Sequence, residues 1–161
     1  MLNVLFLDSA NTSHSLIAES ILRASGRGRF HAYSAGCLSA GAVSPQMNDF
    51  LRERNLPAEG LRSKGLRELT GAEGPSFAFV ITLSELAEAA SSEINFRGDP
   101  VVAHWHLDDE DENERVPSVW ALRDSYWILS RRIKIFASLP HGKLSRRALE
   151  QRALTLQASY L

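Results

Sequence analysis

Apolar residues open the chain as an almost continuous run, Leu2 to Leu7, with Asn3 the one polar member. A short apolar run without alternation is the pattern of a strand buried on both faces of a sheet. It gives way to a small-residue polar loop, Asp8-Ser9-Ala10-Asn11-Thr12-Ser13. From Ser15 to Arg23 the period changes, and Leu16, Ile17, Ile21 and Leu22 recur at helical spacing. The chain therefore starts as strand, loop, helix. Gly26 and Gly28 end that helix, and Phe30 to Ser34 predicts a second strand closed by Gly36. Pro45 to Glu53 predicts a helix with Val43, Met47, Phe50 and Leu51 on one face. Gly60 to Glu73 is polar and turn-rich, anchored by Leu61, Leu66 and Leu69.

Phe77 to Leu83 is the clearest strand pattern in the chain, and Ser84 after it can cap a following helix. Val101 to Trp105 predicts a fourth, shorter strand. Val116 to Leu139 is helical in pattern, carrying Val119, Trp120, Leu122, Tyr126, Trp127, Leu129, Ile133 and Phe136. Trp120 and Trp127 lie seven apart on one face and are assigned to the core, an oligomer interface being the other use of that face. Pro140-His141-Gly142 breaks the helix, and Lys143 to Tyr160 predicts a last amphipathic one. Strands alternating with helices imply a parallel sheet with right-handed crossovers, covered on both faces. Sites in such sheets form at the carboxyl ends of the strands. The loop from Asp8 to Ser13, Ser84, and the segment from His104 to Asp109 should therefore meet at one edge.

Composition narrows the partners. A chain of 161 residues suits one domain, 1–161, and a net charge of −1 gives no electrostatic case for nucleic acid or an anionic membrane. No apolar run approaches the roughly 20 residues of a membrane span. Met1 to Leu7 lacks a basic leader and reads as a strand rather than a signal peptide. The single cysteine, Cys37, leaves no internal disulfide, so a reducing cytoplasmic location is the simplest expectation. Cys37 itself reads as an inert packed thiol. The acidic run Asp108 to Glu114 reads as a solvated loop. His104 and His106 can share one side of a strand end, and with Asp8, His14, Asp108 and Asp109 they would make a nitrogen and oxygen donor set. A dipeptide spacing is weak against a defined ligand count, so the expectation is a structural pair, with no metal and no cofactor.

One stretch is specific. Val4-Leu5-Phe6-Leu7 followed by Asp8-Ser9-Ala10-Asn11-Thr12-Ser13-His14-Ser15 resembles the phosphate loop of low-molecular-weight protein tyrosine phosphatases, which follows the first strand as Cys, five residues, Arg, Ser. Ala18-Glu19, Tyr33-Ser34-Ala35-Gly36, Ser63-Lys64, Val80-Ile81-Thr82-Leu83, His104-Trp105, Asp108-Asp109, Arg123-Asp124 and Arg131-Arg132-Ile133 are similar to family segments in the same order. The His-Trp pair and the late Ser-Leu-Pro point to the arsenate-reductase-like branch. The resemblance implies a four-stranded parallel sheet of flavodoxin-like type with helices on both faces and a C-terminal helix. It also assigns positions: Asp8 to the nucleophile, His14 to the phosphate-binding arginine, Asp109 to the general acid with Glu110 in place of the usual proline. Ser84 and Ser91 fall where the reductase branch carries its disulfide-shuttling cysteines. Ser9, Ala10, Asn11, Thr12, Ser13 and Ser15 form the ligand loop, of which Asn11 and Ser15 match the residues that hold its shape.

The substitutions change the chemistry. A loop thiolate is nucleophilic because amides, the helix amino terminus and a nearby cation lower its pKa. A carboxylate is a poor nucleophile towards a phosphate monoester without a metal, and histidine lacks the planar two-pronged grip of arginine. Asp8 should also repel a phosphate, or occupy the anion cradle itself. The reading favoured is a catalytically inactive binding or regulatory module, with another protein as partner and weak or no oxyanion binding. The rival is a phosphoester hydrolase of altered mechanism using Asp8, His14 and Asp109, with or without a metal. A purely structural partner is the third. The sequence leaves the oligomeric state open.

Overall fold

The computed structural model describes residues 1–38, 42–107 and 118–158. Among these residues four strands, β1 (Leu2–Asp8), β2 (Phe30–Gly36), β3 (Phe79–Thr82) and β4 (Val101–His104), form one sheet in the order β2-β1-β3-β4. Every neighbouring pair is parallel. Among the described residues five α-helices accompany them: α1 (His14–Ser25), α2 (Pro45–Glu53), α3 (Glu85–Ser92), α4 (Val119–Ser138) and α5 (Arg146–Ala158). The expected fold class holds, and among the described residues no helix is long and apolar enough to cross a membrane.

The strands need helices on both sides because alternate residues face opposite ways. Val4 and Phe6 enter one apolar cluster with Ile17, Ile21, Leu129, Ile133 and Phe136. Leu5 and Leu7 enter the other, with Val80, Ala87, Phe77 and Phe96. Register then fixes the site edge: Asp8 lies opposite Gly36, Leu7 opposite Thr82, and Thr82 opposite His104. Capping follows the sequence, since the Ser84 hydroxyl accepts from the Ala87 amide and the Ser44 hydroxyl from the Met47 amide, with Pro45 next in line.

Two expectations are corrected. The third strand begins at Phe79, not Phe77, because the Phe77 amide donates to the Arg97 carbonyl in a neighbouring turn. Gly98 makes that turn at φ +95°, and a Cβ there would sit 2.6 Å from the Phe77 carbonyl oxygen. Trp120 and Trp127 are not core residues, being 73% and 68% exposed. The buried stripe of α4 is instead Leu122, Leu129, Ile133 and Phe136, and the two indoles project from the opposite face. Trp105 is the core tryptophan, fully buried, with its Nε1 donating to the Ala153 carbonyl of α5.

Candidate functional site

The loop between β1 and α1 wraps around its own aspartate. Asp8 Oδ1 accepts from the Asn11 amide at 2.6 Å, and Oδ2 accepts from the Ser15 amide at 3.0 Å. Ser15 is the second residue of α1, so its amide is one of those a helix leaves without an internal partner. The Ser13 side chain at the N-cap makes no capping bond, and the Asp8 carboxylate supplies one from seven residues upstream. The helix end carries a partial positive charge, which suits an anion. Asp8 is only 7% exposed, and a buried carboxylate survives there because amides solvate it.

The loop has further fixings besides Asp8. Asn11 sits in the left-handed region at φ +55°, which asparagine tolerates better than most residues. Its Nδ2 donates to Ser15 Oγ at 2.7 Å, and its Oδ1 accepts the Lys64 amide at 2.8 Å. The Ser63 hydroxyl donates to the Ala10 carbonyl. Gly36 is required where it stands, because a Cβ there would lie 2.6 Å from the Ala10 carbonyl carbon. Past β2 the ladder continues, with the Cys37 and Leu38 amides donating to the Asp8 and Ser9 carbonyls. His14 opens α1 and is buried with the loop, 9% exposed. Asp109, Asp108 and Glu110 lie outside the described residues.

Beneath the loop is an ionic layer. Glu19 is buried in α1, and its carboxylate accepts from Ser34 Oγ at 3.1 Å and from Arg23 at 3.2 Å. Lys64 Nζ donates to Ser34 Oγ at 3.4 Å and to the Arg62 carbonyl. Burial pushes the Glu19 carboxyl above its ordinary range, an effect that Lys64 and Arg23 partly offset. Burial likewise pushes the Lys64 amine down, against the pull of Glu19. Sequence reasoning noted Ala18-Glu19 and Ser63-Lys64 as separate segments and had no signal that they meet.

Across the sheet edge, the Ser9 and Ser84 hydroxyls lie 3.2 Å apart, which joins the loop to the start of α3 as the strand-end argument expects. The same helix carries Glu88, which the sequence reading missed. Its carboxylate lies 2.9 Å from His106 Nε2 and 3.5 Å from His104 Nε2. On its other side, His104 Nδ1 is 2.6 Å from Thr82 Oγ1. Burial lowers the His104 pKa, with Glu88 opposing that shift and His106 adding to it. Ser91 sits on the same helix, its hydroxyl spent on the Glu88 carbonyl. Cys37 is partly buried beside the Ser9 carbonyl.

Solved structures share this fold. An arsenate reductase from Archaeoglobus fulgidus is 25% identical, with a TM-score of 0.62 over 84% of this chain and 99% of its own. A low molecular weight protein tyrosine phosphatase from T. tengcongensis is 22% identical, with a TM-score of 0.64 over 86% of this chain and 100% of its own. An arsenate reductase in the phosphate binding state is 21% identical, with a TM-score of 0.63 over 86% and 98%. No curated protein matches. Residues 3–109, from β1 through the histidine pair, match the family described as low molecular weight phosphotyrosine protein phosphatase. With the parallel sheet, the loop and the helix behind it already in place, the chain belongs to the low molecular weight phosphotyrosine protein phosphatase family.

Proposed function

We propose that this chain is a catalytically inactive member of its family, working in the cytoplasm as a binding or regulatory module with another protein as partner. The observation that carries the reading is the double acceptance of loop amides by Asp8. An oxyanion held at the head of α1 would draw on these same donors, and it would meet a carboxylate already bound to them. Phosphoryl transfer depends on positioning and on stabilising charge at the transferred group. Asp8 brings a second negative charge to that place, its oxygens are engaged by the amides, and His14 stands where the resemblance puts the gripping arginine. What the loop retains is shape, fixed by Asn11, Ser15, Lys64 and Gly36. A shaped surface without a reactive group serves recognition.

The test is hydrolysis of an aryl phosphate, and reduction of arsenate with thioredoxin, by the purified chain. Neither rate should exceed the buffer control. Turnover that survives Cys37→Ser and disappears in Asp8→Ala would overturn the inactive reading in favour of an aspartyl nucleophile.

A further inference from the structure

We propose that Glu88, His104 and His106 form a binding site for a divalent transition-metal ion of the zinc type, with both imidazoles ligating through Nε2 and the carboxylate through oxygen. The ligand atoms of the three side chains lie within 4.8 Å of one another. Bonds of about 2.1 Å in a tetrahedral site put donor atoms about 3.4 Å apart, so the 3.5 Å and 2.9 Å approaches of Glu88 are near that spacing. Closing the wider separation takes a shift of roughly an ångström, within reach of side chains that are 27% to 43% exposed.

Both histidines stand at ion-pair distance from Glu88, and one of them has no hydrogen bond at its Nε2. His106 Nε2 is buried and close to Glu88 Oε2, yet it makes no hydrogen bond of acceptable direction. That nitrogen is therefore committed to no hydrogen bond and can serve as a ligand. The backbone that carries them is stiff. Beyond the last residue of β4, the Trp105 and Leu107 amides donate to the Thr82 and Leu83 carbonyls, so the ladder runs on past the strand. Trp105 and Leu107 pack into the core, which turns the alternating His104 and His106 together to the other side, towards α3.

An outer contact completes the set. With Nε2 facing the ion, His104 Nδ1 carries the proton and donates to Thr82 Oγ1, the kind of partner that fixes tautomer and ring orientation at metal sites. Two neutral imidazoles and one carboxylate suit zinc, and related first-row ions, better than calcium or magnesium, which take oxygen donors. Three protein donors leave a coordination position open to water or to an anion. The site stands independently of the inactive reading, since it uses neither Asp8 nor the loop amides.

The experiment is calorimetric titration of the untagged, chelator-stripped chain with Zn²⁺, paired with the visible absorption of the Co²⁺-loaded form. One ion should bind per chain, and Co²⁺ should give the intense d–d bands of a low-coordinate nitrogen and oxygen site. Glu88→Gln and His106→Asn, at partly exposed side chains, should each weaken Zn²⁺ at least tenfold while leaving the far-ultraviolet circular dichroism unchanged. Thr82→Val should weaken it about 10- to 100-fold. A wild type that binds no Zn²⁺, or folded Glu88 and His106 variants that bind as tightly as wild type, would overturn the site. Should one of these variants not fold, the other and the wild-type Co²⁺ spectrum still decide. These readouts involve no phosphatase assay, so they fail or succeed separately from the proposed inactivity.

Discussion

At the scale of single residues, the loop is governed by where one carboxylate finds its hydrogen bonds. Removing it in Asp8→Ala leaves the Asn11 and Ser15 amides without their acceptor in a buried site. That variant should lose about 1 to 3 kcal/mol of stability at neutral pH, read by urea denaturation. Unchanged or increased stability would mean that the carboxylate repels its surroundings more than it binds them. Glu19 yields a second prediction. Its folded pKa is raised above the ordinary 4.5, chiefly by burial. A raised carboxyl favours folding fully below its unfolded pKa, and that contribution is lost as pH rises through the folded value. Relative to Glu19→Gln, the wild type should therefore become progressively less stable as pH climbs above 4.5. A difference that stays constant, or grows in favour of wild type, would show that Arg23, Ser34 and Lys64 outweigh the burial.

At the scale of elements, the helix faces decide which tryptophans matter. Trp105 is fully buried against Phe136 and bonded to α5, so Trp105→Ala should cost about 3 to 5 kcal/mol. Trp120→Ala with Trp127→Ala should change stability by less than about 1 kcal/mol, because one indole meets Arg123 and the other Tyr126 at the surface. Thermal or chemical melts of the two variants distinguish them, and a large loss from the surface pair would contradict the placement. The heptad spacing of Trp120 and Trp127 correctly put them on one face but could not say which face was inward. Leu122, Leu129, Ile133 and Phe136 form an equally regular stripe, so spacing does not choose between the two faces. The strands were easier, because a run such as Val4 to Leu7 has no polar side to leave in solvent. Phe77 was over-read as strand since nothing in its own neighbourhood signals that its amide is taken by Arg97.

At the scale of the whole molecule, a parallel sheet gathers the ends of its strands. That rule let the sequence foresee that the loop after β1 would meet Ser84, and Ser9 does reach it. Contacts made across elements by long side chains were not legible in this way. Glu88 meets His106 only because α3 turns its first winding towards β4, and Lys64 reaches Ser34 only because the 62–65 segment passes under the loop. Neither depends on local pattern, so neither leaves a periodic trace. The buried ionic layer and the sheet edge are built without the Asp8 side chain, and Asn11 is tied to Ser15 and Lys64 as well as to Asp8, so the scaffold around Asp8 has fixings of its own. The central claim is that its carboxylate holds the place an anion would take, and calorimetric titration of wild type and Asp8→Ala with inorganic phosphate tests it most directly. The folded Asp8→Ala variant should bind phosphate more tightly than wild type, because a like charge has left a set of free amides. Wild type binding phosphate as tightly as the variant, or more tightly, would contradict the account.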